Sequence, residues 1–252
     1  MRRSVSLAIA LTACASLTAC GSSSSSARPS SPKEWRAAMV AAALAQGSVH
    51  WTRFIAVPMI EWRRTSADVT TDGGVERILL RPWCKAEIRL VNDVVYERGD
   101  SRCLGYTLRL ANTKAARYAG RWISIPKGDK LYSGAADGLT LTSILHDVTP
   151  RGEHLVTQTT ADGPTGLLGP TGPGGPTGAA RSAESLGTLA PTLLTAGPTG
   201  QTLSLRTGEP LPVVYTDFCV ICVDIGTFSR WGEPVHVQAP ANSTPIATVR
   251  RG

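Results

Sequence analysis

Apolar positions along this chain follow three different patterns. In the first, Val5 to Ala19 is almost free of charge and is preceded by Arg2 and Arg3. That run is too short to span a bilayer comfortably, and its basic flank is that of a secretory signal. The second is helical. Pro32 to Gln46 carries Ala37, Ala38, Val40, Ala41, Ala42 and Leu44 on a wide apolar face and stops at Gly47. Ser31 with Glu34 three residues on is an N-terminal capping signature. The third has period two and begins at Val49, with Trp51, Ile55 and Val57 on one phase and His50, Thr52, Phe54 and Ala56 on the other.

The cleanest half-buried strand is predicted where Ala86, Ile88 and Leu90 alternate with Lys85, Glu87 and Arg89. Asn92-Asp93 then marks a hairpin turn before Val94, Val95 and Tyr96. Further strands are predicted at Trp122 to Ile125, Leu203 to Leu205, Val213 to Tyr215, Cys219 to Phe228 and Val235 to Ala239. Two more helices are predicted, Asn112 to Tyr118 and Arg181 to Leu194, the latter weakened by Gly187 and Pro191. A helix followed by many antiparallel strands with interposed helices reads as α+β, built on one large curved sheet.

The apolar leader ends in Leu17-Thr18-Ala19-Cys20-Gly21, which matches a bacterial lipobox. In that motif the cysteine becomes the first mature residue and carries a thioether-linked diacylglycerol. Leu11-Thr12-Ala13-Cys14 repeats the pattern, but cleavage there would leave about half of an apolar h-region. Residues 1–19 are therefore expected to be a signal peptide, and Cys20 the lipidated residue. Ser22 to Ser26 and Ala27-Arg28-Pro29-Ser30-Ser31-Pro32 cannot bury apolar surface. Residues 20–32 are expected to be a flexible tether, with a single domain over 33–252. This predicts a cell-membrane protein, lipid-anchored on the extracytoplasmic face.

The net charge of +7 comes from 26 Lys and Arg against 19 Asp and Glu, and the basic residues are scattered. No dense basic block with interleaved aromatics suggests a nucleic-acid partner. Cys84, Cys103, Cys219 and Cys222 remain in the mature domain, an even number that favours disulfides outside the cytoplasm. Cys84 and Cys103 flank a hairpin-like stretch and are candidates for one bridge. Cys219 and Cys222 lie in a β-branched run; in a strand, residues three apart point to opposite faces, too far apart to pair. A turn between them would reverse that. Free buried thiols and metal binding stay open as alternatives.

Gly163, Gly166, Gly169, Gly172, Gly175 and Gly178 recur every third residue. Six triplets are few for a triple helix, and 163–180 reads as a polyproline-II-rich surface loop. For catalysis the chain offers little. His50, His146, His154 and His236 are not in metal-ligand spacing, His146-Asp147 lacks a nucleophile motif and reads as a solvated loop pair, and Glu87 and Asp93 fall on a surface face and a turn. No Gly-x-Ser-x-Gly, phosphate-binding loop or His-Glu-x-x-His is present. Neither an enzyme nor a cofactor is called for.

Several short motifs, in order, resemble those of a known family. The helix ending at Gln46 leads into Ser48-Val49-His50, and Val91-Asn92-Asp93-Val94-Val95-Tyr96 forms a turn into a valine-tyrosine strand. Tyr118-Ala119-Gly120-Arg121-Trp122-Ile123 and Trp231-Gly232-Glu233-Pro234-Val235 complete the set. On these residues the chain resembles the actinobacterial LolA-like lipoproteins of the LppX/LprG type. The resemblance implies a strongly curved antiparallel sheet, a half-open β-barrel, with helices covering its concave face. It also implies an apolar cavity for lipid or another hydrophobic ligand. Inward strand residues would line it: Trp51, Ile55, Ile88, Leu90, Ile123 and Val223. The expected function is non-enzymatic binding, and transfer, of such a ligand. The alternative is an interaction or sensory lipoprotein of the envelope with no ligand cavity and an unidentified protein partner.

Overall fold

The computed structural model describes residues 29, 31–57, 61–81, 84–149, 155–159, 192–196, 200–206, 209–219 and 222–251. The leader, Cys20, most of the tether and the glycine-triplet segment lie outside the described residues. Helix α1 (Pro32–Gln46) begins where Ser31 Oγ accepts from the Glu34 amide at 3.2 Å and ends at Gly47 with φ 76°. Both ends satisfy backbone groups that a helix leaves unpaired. Ser31→Ala is expected to cost about 1 kcal/mol, read as a lower midpoint in urea unfolding with an unchanged slope.

Five strands follow as consecutive antiparallel neighbours: β1 (Ser48–Val57), β2 (Glu61–Thr70), β3 (Gly74–Arg81), β4 (Cys84–Val91) and β5 (Val94–Gly99). Asn92 and Asp93 make the two-residue turn between β4 and β5, with φ of 50° and 60°. Those values suit a turn that matches strand twist, and Asn and Asp tolerate them. Then come α2 (Ser101–Thr107), α3 (Asn112–Tyr118), β6 (Trp122–Pro126), α4 (Tyr132–Ala136) and α5 (Leu141–Val148). The remainder is β7 (Leu155–Thr159), β8 (Thr192–Ala196), β9 (Gln201–Leu205), β10 (Pro212–Cys219), β11 (Cys222–Ser229), β12 (Ser243–Pro245) and α6 (Ile246–Arg251). All twelve strands form one sheet in the order β12-β6-β5-β4-β3-β2-β1-β11-β10-β9-β8-β7. Among the described residues only the β12–β6 pair is parallel. The sheet is curved and unclosed, and the chain is α+β as its pattern predicts.

Register places one row directly across seven strands: Phe228, Trp51, Ala67, Glu76, Ile88, Glu97 and Ile123. Because side chains alternate, this row and those two residues along share one face. The helices cover that face. Met39 and Ala43 of α1 and Leu141, Ile144 and Leu145 of α5 pack with Val49, Trp51, Val69, Leu203, Tyr215 and Phe228. Leu104 of α2, Ala115 and Tyr118 of α3 and Val249 of α6 pack with Ile88, Leu90, Val95, Ile123 and Ile125.

Four sequence expectations are corrected. Cys219 to Phe228 is not one strand: β10 and β11 form a hairpin that reverses between Cys219 and Cys222, which become register partners. Cys222 is disulfide-bonded. Val235 to Ala239 joins no ladder. Val235 and Val237 alternate with exposed neighbours but pair with no strand among the described residues, and Pro234 and Pro240 lack amide protons. Leu193 and Leu194 stand in strand β8, not in a helix, while 181–191 lie outside the described residues. His146-Asp147 is helical, in the last turn of α5. Among the described residues no helix is long and apolar enough to cross a membrane.

Candidate ligand cavity

The apolar wall and its helical cover do not meet everywhere. Between the inner face of β1–β5 and the segments α2–α3, α4 and α6 lies a cavity of about 1120 Å³. Ile55, Val57, Ile78, Leu80 and Ile88 line it from the sheet, and Leu108, Leu110, Leu131 and Ala135 from the opposite side. Arg63, Glu76 and Glu97 project into it from β2, β3 and β5, joined by Arg109, Lys130 and Arg250. A second hollow, of about 730 Å³, lies near the β2–β3 and β4–β5 turns and is bordered by Asp72, Asn92, Leu90, Tyr132, Val235 and Val237.

The six residues proposed as lining from the sequence are divided among different places. Ile55 and Ile88 line the large cavity, and Leu90 lines the second hollow. Trp51 is buried in the core against Phe228, ring centroids 4.4 Å apart, and borders a void of about 110 Å³. Ile123 is fully buried in the packing of β6 against the helices. Val223 is on the other face: its neighbours in β11, Asp224 and Gly226, share the phase of Phe228, whereas Val223 pairs with Ala56 and Phe218.

Cys84 and Cys103 also border the cavity, and a disulfide joins them with Cα atoms 5.1 Å apart. Asp100 lies close enough to complete a three-ligand metal group, but both sulfurs are bonded to each other. The Asp100 carboxylate instead accepts from the Cys103 amide at 2.9 Å, capping α2, and from the Lys85 amide at 2.7 Å.

The charged groups on the inner face were missed. Glu97 is 0% exposed. The Thr107 hydroxyl donates to its Oε1, and Oε2 has no hydrogen-bond partner among the described residues. Burial pushes the Glu97 carboxyl up to about 7; the Thr107 hydrogen bond opposes this and the charge of Glu76 adds to it. Glu76 is also pushed up, because burial outweighs the Arg63 guanidinium 3.3 Å away. Arg53, on the same face of β1, grips Asp224 through Nε to Oδ1 at 2.9 Å and Nη2 to Oδ2 at 2.6 Å. Its Nη1 reaches Asp147 at 2.6 Å, tying α5 to the sheet. Burial works against the Arg53 charge, but the two carboxylates more than offset it and hold it protonated.

A signal for Glu97 exists in the sequence. Val95, Glu97 and Gly99 share the buried phase of β5, so a glutamate sits where the alternation calls for an apolar residue. Glu76 and Arg63 carry a weaker one, since β2 and β3 show no clear apolar alternation.

Among solved structures, the chain is similar to LprF from Mycobacterium bovis, at 14% identity over 84% of this chain and 97% of that one, with a TM-score of 0.45. It is also similar to the Mycobacterium tuberculosis lipoprotein LppX, at 13% identity over 82% of this chain and 100% of that one, with a TM-score of 0.41. No family model and no curated protein matches the chain.

Proposed function

We propose that this is a lipid-anchored, extracytoplasmic protein that binds an amphiphile in its cavity and passes it on without chemically changing it. The observation that carries this reading is the hollow of about 1120 Å³ on the concave face. Pockets for small molecules run to about 300–1,000 Å³, so this one suits a ligand at or above the upper end. Ile55, Val57, Ile78, Leu80 and Ile88 give its sheet wall an aliphatic stretch beside Arg63, Glu76 and Glu97. An acyl chain there leaves water and gains about 0.8 kcal/mol per buried methylene. The lipobox supports anchoring at Cys20. Two acyl chains on one glycerol suffice for stable attachment, and the serine-rich stretch up to residue 32 leaves the domain free to reorient.

Two measurements test this. The full chain, purified from membranes of the producing cell and extracted with organic solvent, is expected to release co-purified lipid, identified by mass spectrometry. Protein that releases none, and takes up none from vesicles, sinks the binding reading. Metabolic labelling with a fatty acid is expected to mark the wild-type chain and leave Cys20→Ser unmarked; equal labelling of both removes the assignment of Cys20.

A further inference from the structure

The polar group buried deepest beside the cavity has a free hydrogen-bonding position. Glu97 lines the cavity and is 0% exposed, and its Oε2 has no partner among the described residues. Buried polar atoms are nearly always satisfied, so an orphan on a residue that lines a hollow points to what fills that hollow. Glu76, across Ile88 in the same row, is not equivalent, because Arg63 already holds it.

The geometry points to a hydroxyl-bearing lipid as the occupant, its hydroxyl bonded to Glu97 Oε2 and its chain lying along Ile88, Ile78 and Leu80. This rests on the cavity being the lipid site. Three observations select a hydroxyl. An anionic group would meet the carboxyls of Glu97 and Glu76. A cationic group would share the cavity with Arg63, Arg109, Lys130 and Arg250, which line it. A hydroxyl is neutral and both donates and accepts, so it serves a carboxyl in either protonation state. Glu97 is poised to occupy both, since burial pushes it up to about 7. From Ile88 to Cys84 the wall extends four residues of strand, about 13 Å. That leaves room for apolar chain beyond the contact. The hydroxyl can belong to the acyl chain or to a polyol head.

The test uses the full chain in phosphatidylcholine vesicles doped with matched probes. One pair is methyl stearate and methyl 12-hydroxystearate in equal amounts; the other is methyl oleate and 1-monoolein. The protein is re-isolated and the bound probes are quantified by mass spectrometry, normalised to their content in the vesicles. The hydroxylated member of at least one pair is expected to be enriched about tenfold, the size of one hydrogen bond to a charged group. Enrichment in the first pair places the hydroxyl on the chain, and in the second on the head. In Glu97→Leu the enrichment is expected to fall to near one while total bound lipid is retained, and Glu97→Gln, which keeps a hydrogen-bonding side chain, to retain part of it. Bound lipid with no enrichment in either wild-type pair overturns the inference and leaves lipid binding standing. No bound lipid overturns both. The wild-type arms decide the matter even if a variant fails to fold.

Discussion

Raising the pH from about 4.5 to above 7 is expected to cost the wild-type fold about 3 kcal/mol through Glu97 alone, and Glu97→Gln to be spared that loss. The folded carboxyl is pushed up from 4.5 to about 7. In the unfolded chain it ionises near 4.5, so above that pH the unfolded state releases a proton that the folded state retains. The stability associated with the neutral, buried form is therefore full below 4.5 and is lost as pH rises through about 7. Every tenfold difference in proton affinity between the folded and unfolded carboxyl is worth about 1.4 kcal/mol, which gives the figure above. Glu76 is pushed in the same direction and adds to the loss, so the variant should keep a shallower slope rather than none. Urea unfolding of both proteins at pH 4.5, 6, 7 and 8 checks this. Parallel stability curves for wild type and Glu97→Gln would show that Glu97 is not buried as described.

Trp51→Ala is expected to destabilise the fold by about 4 kcal/mol, within the range for truncating a buried aromatic. Trp51 is 4% exposed, and Phe228 packs 4.4 Å away with Trp231 stacked beyond it at 5.7 Å. Its ring lies over Gly226. A Cβ built there would approach Trp51 Cη2 to 1.9 Å, so only glycine leaves room for the indole. Gly226→Ala alone should cost about 1–3 kcal/mol by overpacking. In a Trp51→Ala background it should cost much less, because the clashing ring is gone. Thermal or urea unfolding of the four proteins gives the coupling. Additive costs would mean that the ring does not rest on Gly226.

These residues mark where sequence reasoning succeeds and where it stops. Helix α1 was legible to its ends, because the Ser31 cap and the Gly47 stop act over a few residues. Strand β4 was legible because Ala86, Ile88 and Leu90 bury one phase while Lys85, Glu87 and Arg89 stay accessible. Strands β2 and β3 were not. Their inward phases carry Arg63, Thr65 and Glu76, whose placement inside is settled by partners from other strands and by the cavity they border. The β10–β11 hairpin was hidden because Cys219 to Val223 is an unbroken apolar run, and periodicity does not mark a reversal within such a run.

Local physics, acting within one turn or one strand, was therefore written in the sequence: the first helix, the alternating strands and the α+β class. What only the tertiary structure decided was which residues face the hollow. Inward phase is necessary for that but not sufficient. Trp51 and Ile123 point inward and are covered by helices, whereas Ile55, Ile88 and Glu97 point inward and line the cavity. The distance between a sheet and its helices depends on the packing of segments far apart in sequence, and no window of residues encodes it.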